Sequence, residues 1–231
     1  MWLINSSIGR KVVMSITGIA LILFLTFHGC MNVVALFSEE GYNMICEFLG
    51  ANWYAVVATL GLAALAVIHI VFAFILTAQN RTARGDNHYE VATTVNAGKV
   101  EWASKNMLVL GIIICLGLLL HLYNFWYNMM FEELIGAMPA ISPTDGFGWI
   151  KETFSNPVFS VLYIIWLVAI WFHLTHGFWS AMQTLGWSGK TWLCRWKMIG
   201  FIYVTLLMLC FLVVVLAFWF GCAPSLCGSC C

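Results

Sequence analysis

Five long stretches of this chain contain no Asp, Glu, Lys or Arg: Val12–Phe37, Trp53–Ala78, Met107–Phe131, Val158–Leu185 and Met198–Phe220. Each exceeds the roughly 20 apolar residues that a helix needs to cross the hydrocarbon layer. In lipid every backbone N–H and C=O has to be satisfied within the protein, which limits spanning elements to helices and closed barrels. The alternating pattern of barrel strands is absent. The remaining composition agrees: of 231 residues, 62% are hydrophobic and 9% charged, too little charge to wet the surface of a soluble domain. The expected fold is an all-α integral membrane protein with five transmembrane helices, residues 1–231 forming a single membrane domain. The first run is longer than a signal-peptide core and is read as a retained span.

Charge sets the expected orientation. Arg10, Lys11, Arg81, Arg84, Lys99, Lys105, Lys190, Arg195 and Lys197 fall on one side of the five spans, and Lys151 alone on the other. The positive-inside rule then puts the N-terminus in the cytoplasm and the C-terminus outside. The acidic residues lean outward: Glu39, Glu40, Glu47, Glu132, Glu133, Asp145 and Glu152. The net charge is zero, and no basic block suggests nucleic acid as a partner. The long external connection, 132–157, contains Pro139, Pro143 and Pro157 and is read as helix-breaking.

Spans without other charge nevertheless carry histidines: His28, His69, His121, His173 and His176, with His88 in a loop. A polar side chain at membrane depth is costly and points to function; the alternative is a hydrogen bond to a neighbouring helix. On untilted helices rising about 1.5 Å per residue, His28 and His121 lie roughly 24–26 Å from the inner boundary, and His69 and His173 roughly 18–20 Å. The four fall into an outer and an inner pair, each drawn from two helices. Two facing imidazoles are a natural bis-axial haem site, closed to oxygen and suited to electron transfer. A tetrahedral zinc or copper site would instead converge its ligands on one point. Spacing alone does not choose between His173 and His176. Ala73, Gly117, Ala169 and Gly177 lie a turn from the histidines and either leave room for a macrocycle or serve close helix packing.

Several motifs carry a family resemblance: Ser6-Ser7-Ile8-Gly9-Arg10-Lys11 followed by Met14 and Thr17-Gly18; His28 with Asn32; and His173-Leu174-Thr175-His176-Gly177-Phe178-Trp179 running to Leu185-Gly186-Trp187. On these the chain resembles the di-haem cytochrome b membrane anchors of succinate dehydrogenases and quinol:fumarate reductases. The resemblance implies that the first four helices form a haem-binding bundle in the cytoplasmic membrane. It implies two b haems, the outer held by His28 and His121 and the inner by His69 and His173; His176, three residues past His173, is then left as the candidate propionate partner. It implies a flavoprotein and an iron–sulfur subunit docked on the cytoplasmic side, and electrons exchanged with a quinone, expected to be menaquinone. Glu47 is the candidate proton acceptor for the quinone, or else a solvated loop carboxylate. Some fumarate reductases of this type carry a Glu two residues before the fourth ligand; here that position is Trp171, which puts a proton path along this helix in doubt.

Nine cysteines remain. Cys30, Cys115 and Cys210 read as small packing residues, while Cys222, Cys227, Cys230 and Cys231 form a Cys-rich tail over 222–231, external and disulfide-capable or disordered, with a Cys-x-x-Cys pair that would also suit a metal. No Cys-x-x-Cys-His motif is present, so the haems are expected to be non-covalent. The rival functions are the cytochrome subunit of another membrane oxidoreductase and a transporter whose histidines bind protons or metal. Transporters of that kind tend to show broken helices or inverted repeats, and neither is visible in the sequence.

Overall fold

The computed structural model describes residues 6–84, 102–223 and 225. His88, Lys99, Cys227, Cys230 and Cys231 lie outside the described residues. The elements are α1 (Ser7–Val34), α2 (Glu39–Phe48), α3 (Trp53–Arg84), α4 (Trp102–Lys105), α5 (Met107–His121), a π-helix (Leu122–Phe131), α6 (Glu132–Leu134), α7 (Gly146–Ser155), α8 (Pro157–Thr184) and α9 (Lys190–Trp219). No strand occurs among the described residues. Five helices are long and apolar enough to cross a membrane: α1, α3, the continuous α5–π–α6 segment, α8 and α9. The protein is a multi-pass membrane protein.

The helices run past the charge-free stretches because charged and polar residues can extend a helix beyond the hydrocarbon. The first begins at Ser7, where the Ser6 hydroxyl accepts from Gly9 N at 2.9 Å, and carries Arg10 and Lys11 in its first turns. At 28 residues it is about 42 Å long, more than the hydrocarbon alone requires. Asn156 caps α8 by accepting from Val158 N, with Pro157 in the first turn, where its missing N–H costs nothing. Gly186, at φ 82°, ends that helix: Trp187 N donates to Met182 O at 3.0 Å, a turn that needs a left-handed residue.

Four spans stand in a square. Neighbours around it are α3 with α1, α1 with α8, and α8 with α5; the side between α5 and α3 closes only slightly. The diagonals, α1 to α5 and α3 to α8, do not pack helix on helix. The last span, α9, lies outside the square against α8 and α1. Its Val204, Leu207 and Met208 join Leu167 and Ile170 of α8 in the buried core. At one end of the bundle the chain carries Arg10, Lys11, Lys105, Lys190, Arg195 and Lys197, and at the other Glu39, Glu40, Glu47, Glu132, Glu133 and Asp145; these are the basic and acidic ends below.

The acidic end differs from the expectation of a helix-free 132–157 connection. Pro139 and Pro143 precede α7 and Pro157 follows it, so none interrupts it. The Asp145 carboxylate caps it, accepting from Gly148 N at 2.9 Å. Phe147, Ile150 and Phe154, at 3%, 2% and 5% exposure, share one face at helical spacing and close the end of the bundle against Phe218 and Tyr163. Burying each is worth roughly 1.5–3 kcal/mol, enough to hold a ten-residue helix that would be marginal alone. Asn43 of α2 clamps this helix to its neighbour: its amide donates to Asp145 Oδ1 and its carbonyl accepts from Phe147 N, both at 2.9 Å. Ser225 also reaches this end, bonding to the carbonyls of Ala35 and Leu36 at 2.8 and 3.1 Å.

Candidate functional site

His28 and His121 meet across the α1–α5 diagonal with ring centroids 5.7 Å apart and planes at 85°. His69 and His173 meet across the α3–α8 diagonal at 6.4 Å and 65°. Helices packed at about 8–10 Å around a square leave their diagonal partners roughly 11–14 Å apart, so each pair reaches across a gap that backbone packing does not fill. The levels differ. His28 is one and a half turns, about 9 Å, from the acidic end of α1, whereas His69 and His173 each stand about 24 Å from the acidic ends of their helices. Each of the four spans thus contributes one histidine to one of two pairs.

These separations can be set against metal–imidazole bond lengths. A metal–imidazole nitrogen bond is about 2 Å, so two opposed imidazoles on one metal place their centroids roughly 6–6.5 Å apart. The pair across α3 and α8 has that spacing, and the pair across α1 and α5 is a few tenths of an ångström tighter. Among the described residues no three His, Cys, Asp or Glu side chains converge as a tetrahedral site requires. Among the buried side-chain nitrogens of the described residues, His173 Nδ1 and Arg10 Nε have no hydrogen-bond partner.

Aromatic rings surround the pair nearer the acidic end. Phe24 stacks on His28 at 5.5 Å, and Phe125, Trp166 and Tyr163 lie 5.2, 5.6 and 6.2 Å from His121. Trp166 fills the room beside Gly117: a Cβ there would collide with its indole, whose Nε1 donates to Ile114 O at 3.0 Å. Of the two readings of Gly117, it is therefore close packing that the structure displays. Gly177 differs, since a Cβ there would meet nothing within 4 Å. Half-buried Asn32 and buried Asn124 flank this pair: Tyr42 donates to Asn32 Oδ1 at 3.3 Å, and Asn124 Nδ2 donates to Tyr163 at 3.4 Å. Directly after His121 the helix widens into the π-helix, where Asn128 Nδ2 bonds the carbonyls of Tyr123 and Asn124 at 3.1 and 3.0 Å. Such segments concentrate at functional sites.

The other candidates separate. His176 lies one turn nearer the basic end than His173, its ring 4.9 Å from Trp179, over which Lys197 Nζ sits at 4.3 Å. Trp171 donates from Nε1 to Thr205 Oγ1 at 2.9 Å, tying α8 to α9. Glu47 is exposed, in an open cleft of about 590 Å³ shared with Glu39, Glu40, Asn43, Met44, Thr144 and Asp145. Beneath it, burial pushes the Cys46 thiol up to about 11, and the same cause holds Tyr42 well above its usual range, so both stay neutral. Sequence reasoning missed the Thr17 hydroxyl 3.1 Å from His69 Nδ1 and the two Asn–Tyr contacts, because helix rotation, not depth, brings them together. The chain matches no protein-family model, no curated protein and no solved structure.

Proposed function

We propose that this chain is a membrane-anchor cytochrome b that carries electrons between a quinone, menaquinone in the first instance, and the iron–sulfur subunit of a succinate dehydrogenase or fumarate reductase. The observation that carries this reading is the pairing of four histidines across both diagonals of a four-helix square, at two levels. His28 and His121 would hold one b haem and His69 and His173 the other. When bound, such groups would supply one-electron redox chemistry. The helices fix the imidazoles, and the aromatic rings around His121 keep water away. The basic end faces the cytoplasm and receives the iron–sulfur and flavoprotein subunits, while the acidic end faces outward.

The quinone belongs at the acidic end in this reading. Its reduction consumes two electrons and two protons, and Glu47 offers a carboxylate in contact with external water. The carboxylate would pass protons from that side to the quinone oxygens. Purification from membranes under mild detergent tests the assignment. A flavoprotein and an iron–sulfur protein should co-purify, and the assembly should couple succinate oxidation or fumarate reduction to a quinone. Recovery of the chain alone, or with a molybdenum-type oxidoreductase, would replace it with the other cytochrome reading.

A further inference from the structure

The Thr17-Gly18 step of α1 lies against the ring of His69. Thr17 is 5% exposed, and its Oγ1 stands 2.9 Å from Val13 O, 3.1 Å from Met14 O and 3.1 Å from His69 Nδ1. A hydroxyl has one proton to give and two lone pairs to accept with. With that proton directed at the carbonyls of its own preceding turn, Thr17 accepts from His69, so the ring proton sits on Nδ1. The lone pair is then on Nε2, free for a metal. Gly18 supplies the room: a Cβ there would come within 3.3 Å of His69 Cε1 and 3.8 Å of Nδ1. Across the gap, His173 Nδ1 has no such acceptor among the described residues.

We propose that Thr17 and Gly18 form a positioning element for His69, fixing its tautomer and ring plane so that Nε2 faces His173. The proposal rests on the two-centre reading above. An acceptor on the far nitrogen of a ligating imidazole also raises its basicity. His69 is therefore the stronger donor of the inner pair, and the oxidised state of the inner centre is the one favoured.

The test uses the full-length protein purified from membranes as wild type, Thr17→Val, Thr17→Ser and Gly18→Ala. Low-spin resonance signals and redox midpoints are read for both centres, with haem content as a third measure. Thr17→Val should shift the signal of the inner centre alone, raise its midpoint, and weaken haem retention there by about 10–100-fold. Thr17→Ser should restore all three, and Gly18→Ala should move the same signal. An unchanged outer signal serves as the folding control; should Thr17→Val fail it, Thr17→Ser and Gly18→Ala carry the comparison. Wild-type signals and occupancy in Thr17→Val, or equal damage in Thr17→Ser, would overturn the proposal. Failure of the two-haem reading looks different, since the wild type itself would then lack both signals. Nitrogen-15 histidine spectra of those samples would still report the tautomer: His69 protonated on Nδ1 keeps the positioning element, and His69 protonated on Nε2 removes it.

Discussion

His69 and His173 face each other at 6.4 Å although α3 and α8, which carry them, do not pack directly. Two histidines that merely stabilised a helix contact would sit where the helices touch. Here they reach into the gap instead, and the same holds for His28 and His121 on the other diagonal.

The four pairing histidines are expected to behave as two independent sets. Replacing His28 or His121 by Ala should remove one low-spin b-type signal, and replacing His69 or His173 the other. His176→Ala should leave both, because that ring rests on Trp179. Low-temperature difference spectra check this. Loss of a centre in His176→Ala with both retained in His173→Ala would transfer the ligand role to His176.

Orientation is testable through cysteines. Cys222 and Cys194 are exposed at opposite ends of the bundle, whereas Cys46 is partly buried. In sealed right-side-out vesicles an impermeant maleimide should label a variant retaining Cys222 and spare one retaining Cys194. A variant retaining only Cys46 should react slowly. With its thiol held near 11, the thiolate is on the order of one in a thousand at pH 8, and labelling should rise as pH approaches 11. Labelling of Cys194 and not Cys222 would invert the topology.

The packing of Trp166 into the space beside Gly117 predicts a local cost. Gly117→Ala should destabilise the protein by about 1–3 kcal/mol, the usual range for overpacking, and disturb the centre at His121, which Trp166 adjoins. Thermal unfolding in detergent, followed alongside the spectrum, measures both. An unshifted melting temperature and spectrum would show that the indole moves freely.

The spans were legible because hydrocarbon imposes a length and forbids charge, two properties written directly in a sequence. Their ends were not: Arg10 and Lys11 end the charge-free stretch at Val12, yet the helix continues back to Ser7. Depth along each helix grouped His28 with His121 and His69 with His173, the groupings that the structure brings together. Rotation about each helix axis left no such record, so the Thr17 contact emerged only in three dimensions; spacing alone left His173 and His176 open, and it was the family resemblance that pointed to His173, whose ring the structure sets opposite His69. Two short helices, α2 and α7, escaped notice among loop residues. Their signals were present in Ser38 and Asp145 as caps and, for α7, in Phe147, Ile150 and Phe154 at helical spacing, but Pro139, Pro143 and Pro157 beside α7 masked the second of them. The π-helix after His121 has no sequence rule to announce it.

Charge movement follows from placing the quinone at the acidic, external end. Electrons would then cross most of the membrane while protons exchange outside. Moving one charge through 100 mV is worth about 2.3 kcal/mol. Trp171, bonded to Thr205, offers no carboxylate for a compensating path along α8. Turnover of the whole complex in proteoliposomes should build a membrane potential, and Glu47→Gln should slow it while leaving both spectra intact. A silent potential together with indifference to an uncoupler would move the quinone to the basic end or add a proton route.

The most direct measurement is a redox titration of the purified chain followed by absorbance and electron paramagnetic resonance. The account predicts two low-spin, six-coordinate b-type haems per chain, extracted by acidic acetone because they are not covalently bound. One haem, high-spin iron open to carbon monoxide, or zinc or copper in place of porphyrin would contradict it.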